Sequence, residues 1–207
     1  MHTIGIIGAT GTMGAQIAQA LSGNYPLILS TRDADKIDIT KFPNSKVETD
    51  IQTTVENSDI IILALPYNNE QEIAEQIKEV SNNKIIVSIS NPLSEDFSSL
   101  QTGWNTSTAE QLQEKLPHAR VIKAFNTVFA TKINNPQIGD DTLDHFYAGD
   151  NQESLQIIKE LIEKIGHSPV YAGALEESRM LEHMAFLNIQ LSIKEVFGWN
   201  SAFKIKS

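Results

Sequence analysis

The chain has 207 residues, enough for one domain with a sizeable core, and a formal net charge of -10 at pH 7. That charge argues against nucleic acid or an anionic membrane as the main partner. The absence of cysteine removes disulfides, thiolate metal sites, iron–sulfur clusters and cysteine nucleophiles together.

The first element is a short apolar run, Ile4-Gly5-Ile6-Ile7, with the pattern of a strand buried on both faces. It stops at Gly8. From Thr12 the period becomes helical, with Met13, Ile17 and Leu21 on one side. A strand therefore feeds a helix through Gly8-Ala9-Thr10-Gly11-Thr12-Met13-Gly14. In such a loop Gly8 permits a tight turn, Gly11 lets backbone approach a ligand, and Gly14 lets the helix pack closely on the strand. The free N–H groups of the helix start suit a pyrophosphate. A glycine fingerprint alone is weak; the strand before it and the helix after it point to dinucleotide binding.

The second strand, Pro26 to Ser30, ends at Thr31-Arg32-Asp33-Ala34-Asp35-Lys36. An NAD site places an acid here, for the ribose 2′-hydroxyl. Thr31, Arg32 and Lys36 instead offer a hydroxyl and two cations, which suit a 2′-phosphate. Asp33 and Asp35 count against this unless they face solvent, and Arg32 as a solvated loop charge is the competing reading. Lys46 to Thr49 reads as a short strand and Asp59 to Leu65 as a buried one stopped by Pro66. Ala64-Leu65-Pro66 then falls at a strand's carboxyl end, where open α/β sheets bind ligands.

Asn69 to Val80 reads as a helix, and Lys84 to Ser90 as a strand ending at Asn91-Pro92. Asn91 suits a ligand contact or a plain turn equally. Ser94 to Asn105 reads as a loop around an isolated Trp104 that could cover a site, and Thr106 to Leu116 as a helix stopped by Pro117. Val121 to Asn126 reads as a strand, Asn134 to Asp141 as a polar loop, His145 to Ala148 and Pro169 to Tyr171 as strands around a helix at Gln152 to Ile165. The last helix, about Glu176 to Phe197, carries Met180, Leu181, Met184, Leu187, Leu191 and Val196 over a wide arc. So wide an apolar arc needs cover on more than one side, from the active site or from a second subunit. No linker or repeat divides the chain. The expected architecture is a single α/β domain over residues 1–207, a doubly wound, mostly parallel sheet of Rossmann type, with a C-terminal helical segment at about 176–197.

With these residues the chain resembles the NADP-dependent deazaflavin (coenzyme F420) reductases, and the cytosolic reductase part of the six-transmembrane metalloreductases. The resemblance covers most of the chain. It rests on the glycine loop, Ser30-Thr31-Arg32 with Lys36, Ala64-Leu65-Pro66, Ser90-Asn91-Pro92-Leu93, Lys123-Ala124-Phe125-Asn126-Thr127, and Tyr171-Ala172-Gly173-Ala174-Leu175 with Ser178-Arg179. The last two segments are the more diagnostic. The resemblance implies that Thr10, Thr31, Arg32 and Lys36 hold the 2′-phosphate. It also implies hydride transfer between NADP(H) and a flavin- or deazaflavin-like ring, chemistry that the cofactors carry themselves. Asn126 departs from the histidine of the deazaflavin reductases, and the membrane half of the metalloreductases has no counterpart.

The cofactor-binding residues expected are Gly8, Ala9, Thr10, Gly11, Thr12, Met13, Thr31, Arg32, Lys36, Ala64, Leu65, Pro66, Ser90, Asn91 and Pro92. Phe125, Asn126 and Met180 are the substrate-pocket candidates. No metal-ligand spacing appears. Four of the five histidines, His2, His118, His145 and His167, fall at expected strand or loop edges, and no catalytic triad or carboxylate pair stands out. No run has the length of a membrane span, and no charged segment followed by an apolar one opens the chain. The expectation is a cytoplasmic homodimer acting on a small-molecule acceptor. Two other readings stay open: an NADPH-dependent reductase of a small carbonyl or imine, and a non-enzymatic NADP sensor.

Overall fold

The computed structural model describes residues 1–206. It contains an eight-stranded sheet with helices on both faces, the Rossmann-type α/β architecture. The strands, in chain order, are β1 (Ile4–Ile7), β2 (Leu27–Ser30), β3 (Lys46–Glu48), β4 (Ile60–Leu63), β5 (Ile85–Ser88) and β6 (Arg120–Lys123). A separate two-stranded ribbon, β7 (Gln137–Ile138) with β8 (Asp141–Thr142), follows, then β9 (Asp144–Gly149) and β10 (Ser168–Gly173) of the main sheet. The helices are α1 (Thr12–Leu21), α2 (Ile51–Glu56), α3 (Tyr67–Ile77), α4 (Thr108–Lys115), α5 (Ala130–Ile133), α6 (Gln152–Lys164) and α7 (Ser178–Ile193).

The spatial order is β10-β9-β6-β5-β4-β1-β2-β3. All neighbours are parallel except β6 and β9, which pair antiparallel through Ile122 with Gly149 and Lys123 with Ala148. Chain order reverses between β1 and β4, so their following loops diverge and open the crevice in which such sheets bind ligands. The reversal of β9 has a second effect. Its start, Asp144-His145, lies at the edge where β1, β4, β5 and β6 end.

Alternate strand residues feed two cores. Ile4, Ile6, Ile60, Ile62 and Val87 pack under α1 and α6, with Ile17, Leu21, Ile158 and Ile162. Ile61, Leu63, Ile86 and Val121 pack on the other face against Val55, Ala74, Ile77 and Leu112 of α2, α3 and α4. Strands buried on both faces explain the continuous apolar runs. Asp50, Ser107 and Asn151 cap α2, α4 and α6 by accepting from Thr53, Glu110 and Ser154 amides.

Three expected elements change. The strand read as Val121 to Asn126 ends at Lys123, because Phe125 has φ +65°, which no strand accommodates. The helix read as 176–197 is a 3-10 turn, Leu175–Glu177, followed by α7, which stops at Ile193. Glu195 takes φ +58° there, and the Val196 amide donates to the Leu191 carbonyl at 3.0 Å, a helix stop made without the usual glycine. The polar loop 134–141 contains β7 and meets β8. No helix among the described residues is long and apolar enough to cross a membrane.

Candidate functional site

The glycine loop sits over the crevice. Gly8 has φ +88°, and a Cβ on it would strike the Ala64 carbonyl oxygen at the end of β4. A Cβ on Gly14 would strike the Gly8 carbonyl, so α1 reaches its place only with glycine at that position. The N-cap of α1 is Gly11, whose lack of a side chain leaves the first-turn N–H groups uncapped. Thr10, Gly11 and Thr12 are exposed. This is the arrangement that holds an anion at a helix start.

At the end of β2, the Thr31 hydroxyl is tied to its own turn, donating to the Asp33 carbonyl at 3.2 Å. Arg32 is exposed. Asp33 accepts from the Asp35 amide, capping a 3-10 turn, and lies 3.8 Å from Lys36 Nζ. Of the two acids that argue against a 2′-phosphate, Asp33 is thus engaged by its own turn and by Lys36, and Asp35 is exposed.

Beyond the loop lies a mainly apolar cavity of about 360 Å³. Thr12 and Met13 border it on the loop side, Asn91, Phe125 and Asn126 at the strand ends, and Ala185, Asn188 and Ile189 along α7. Phe129 and Trp199 complete it, with ring centroids 5.3 Å apart. Of the substrate-pocket candidates, Phe125 and Asn126 line this space; Met180 does not and is half exposed. The α7 residues that face the cavity come one to two turns later. Ala64, Leu65, Pro66 and Pro92 do not line the cavity; Ala64 and Leu65 lie beside Gly8.

Asn126 is clamped. Its Nδ2 donates to Asn91 Oδ1 and to the Leu181 carbonyl, both at 3.0 Å, while Asn91 Nδ2 donates to the Asn126 carbonyl at 3.2 Å. The Asn126 Oδ1 is buried without a partner. Asn188 is held by Ser201, whose hydroxyl donates to its Oδ1 at 2.6 Å.

Ser90 turns away from the cavity into a buried ionic network. Its hydroxyl donates to Glu70, and its carbonyl accepts from Lys123. Lys123 Nζ also meets Thr108 Oγ1 at 2.6 Å and Glu182 Oε1 at 2.7 Å. Burial raises the Glu70 carboxyl to about 7, opposed by the nearby Lys123 charge and by hydrogen bonds from serine. The network ties α3, α4, β6 and α7 together beneath the strand ends. Sequence reading missed it, although a lysine inside the apolar run Val121-Ile122-Lys123-Ala124-Phe125 is a signal, since a buried charge requires buried partners.

His145 stands at the start of β9 and His167 just before β10, the strand edges expected of them. His145 and His167 are buried, and burial lowers both pKa values, that of His145 far below the usual 6.5. His183 stacks on Trp104 with ring centroids 3.4 Å apart, which pins the 94–105 loop against α7.

Residues 3–92 match the family described as NADP oxidoreductase, coenzyme F420-dependent. The chain is 28% identical to the F420-dependent NADP reductase of Methanocaldococcus jannaschii, over 92% of each chain. A crystal structure from Arthrobacter sp. FB24, assigned as an F420-dependent NADP reductase, superposes with a TM-score of 0.89 at 22% identity over 100% of both chains. An imine reductase from Bacillus cereus shares the fold, with a TM-score of 0.68 at 21% identity over 94% of this chain and 63% of that one. In its cofactor half, and more weakly along nearly its whole length, the chain is similar to the F420-dependent NADP oxidoreductases.

Proposed function

We propose that the protein is an NADP-dependent oxidoreductase that passes a hydride between NADPH and a flat, flavin- or deazaflavin-like acceptor. The observation that carries this reading is one apolar cavity bordered by both the dinucleotide loop, at Thr12 and Met13, and the strand ends, at Phe125 and Asn126. The cradle suits the cofactor: Gly8 and Gly14 let the loop close against the end of β4 and the start of α1, the α1 start is uncapped, and Arg32 and Lys36 follow the end of β2. Thr10, Thr31, Arg32 and Lys36 are assigned to the 2′-phosphate, the Gly8–Met13 loop to the pyrophosphate, and Ala64, Leu65, Pro66, Asn91 and Pro92 to the rest of the crevice; Ser90, expected there from sequence, is instead spent on Glu70 and Lys123.

When bound, NADPH supplies the hydride. The chain's own task is to align two rings at contact distance and keep water out. Phe125, Val128, Phe129, Ala185 and Ile189 supply the dry wall. Asn126 and Asn188 can orient a carboxamide or a ring carbonyl without changing charge. No acid–base group is required, in keeping with the apolar lining.

A homodimer and a cytoplasmic location belong to the same reading. Met180 and Leu187 on α7 are 51% and 52% exposed, and Val196 just beyond it is 52% exposed, a row that a second copy of the chain would cover.

The test is loss of NADPH absorbance with FMN, a 5-deazaflavin, a ferric chelate, and small carbonyls and imines offered in turn. Turnover with a ring acceptor is expected. Turnover with carbonyls or imines alone would replace the acceptor class, and NADPH binding without any turnover would leave a sensor.

A further inference from the structure

The Phe125 backbone is the outlier of the cavity wall. It has φ +65°, a conformation that bulky residues rarely adopt, and its side chain is wholly buried. A left-handed residue here takes its N–H out of the β6–β9 ladder, whose last register pair is Lys123 with Ala148. That N–H is buried and needs an acceptor. The acceptor is a side chain: Phe125 N–H donates to His145 Nε2 at 3.0 Å. The two rings meet edge to face, 4.5 Å between centroids.

His145 can serve because β9 runs antiparallel to β6, which brings its start to the carboxyl ends of the other strands. Accepting at Nε2 requires that the proton sit on Nδ1. The His167 ring packs at right angles, 5.1 Å away, with its own Nε2 3.1 Å from the Ile133 carbonyl. Neither ring lines the cavity, so neither touches a ligand there. Strain of this kind persists only where the surroundings over-determine it, and it gathers at functional sites.

We propose that His145 is a positioning residue for the reaction: its Nε2 holds the Phe125 amide in the left-handed turn, and so fixes where the Phe125 ring and the Asn126 amide stand in the cavity. A leucine at 145 would fill comparable space without offering an acceptor. A glutamine places an oxygen near the Nε2 position. The inference rests on the proposed hydride transfer for its kinetic readout only.

The experiment has two arms. In the first, nitrogen NMR of the wild-type protein reads the His145 tautomer; the Nδ1–H form is expected, and an Nε2–H form would overturn the assignment. The second compares H145L and H145Q. Affinity for adenosine 2′,5′-bisphosphate, which probes only the adenine half, should stay within about twofold in both. For NADPH with 5-deazariboflavin, kcat should fall about tenfold or more in H145L and recover to within about threefold in H145Q. Wild-type kcat in H145L, or equal loss in the two variants, would refute the role. If the wild type does not reduce the ring, the proposed function fails by itself. The tautomer and the Asn126 side-chain amide resonances then decide: displacement in H145L and wild-type positions in H145Q support positioning, and unmoved resonances in H145L refute it.

Discussion

Lys123 Nζ lies 2.7 Å from Glu182 Oε1, with the two side chains 0% and 1% exposed. One residue ends a central strand and the other sits on α7, so the pair fastens the cavity's helical wall to the sheet. Charges this deep cost desolvation, which good geometry and extra hydrogen bonds offset. Glu182 gains them from the Thr108 amide and hydroxyl. Removing one partner, by K123M or E182Q, should cost about 3–5 kcal/mol in chemical denaturation, because the other charge is left buried. The double variant K123M/E182Q should lose clearly less than the sum. Additive losses would show that the two charges do not depend on each other.

Glu70 gives the stability a pH signature. Its carboxyl is raised to about 7, chiefly by burial. The folded state therefore binds the proton more tightly than the unfolded state. Between the ordinary carboxylate value near 4.5 and about 7, stability from this group falls as pH rises. The full effect is on the order of 3 kcal/mol. His145 acts oppositely: its depressed pKa makes the fold lose stability as pH falls below about 6.5. E70Q, which imitates the neutral acid, should therefore steepen the rise of stability between pH 5 and 7. An unchanged pH profile in E70Q would mean that Glu70 is ionised throughout.

Cofactor choice is tested at Arg32. Its side chain is exposed at the end of β2, with the competing Asp33 engaged by its own turn and by Lys36. A charge-assisted contact to a 2′-phosphate is worth about 1.5–3 kcal/mol when desolvated and less when exposed. In R32A, NADPH affinity should fall about tenfold while NADH affinity barely moves. Equal losses for both cofactors would refute the assignment.

What the sequence revealed and what it hid follow from range. β1, the glycine loop and α1 are local: period, glycine and strand-to-helix order are all visible within Ile4 to Leu21. The deeply buried strands announce themselves as apolar runs. The Phe125 kink does not, because its cause is His145 on a strand that joins the sheet in reverse. The ionic network was hidden similarly, since Glu70, Lys123 and Glu182 meet only after α3, β6 and α7 have packed. Met180 was misplaced by helical phase: the arc it shares with Leu187 faces outward, while Ala185, Asn188 and Ile189 face the cavity.

That outward arc leads to a prediction about association. A charge at its centre, L187E, should leave the fold intact, since Leu187 is 52% exposed, yet disrupt a dimer that buries it. Sedimentation at micromolar concentration should show a wild-type dimer and a monomeric L187E. A wild-type monomer would sink the homodimer.

The last prediction concerns Asn126. Its Nδ2 is spent on Asn91 and Leu181, its Oδ1 is buried without a partner, and the residue borders the cavity. Replacing it by alanine also releases Asn91, so the effect should appear in the geometry of transfer rather than in overall affinity. N126A is expected to keep NADPH affinity within about threefold and to lose about tenfold or more in kcat with the best ring acceptor. N126D keeps Oδ1 but turns the Nδ2 donor into an oxygen facing Asn91 Oδ1 and the Leu181 carbonyl, so it should be at least as slow. Wild-type turnover by N126A would move the chemistry away from this end of the cavity.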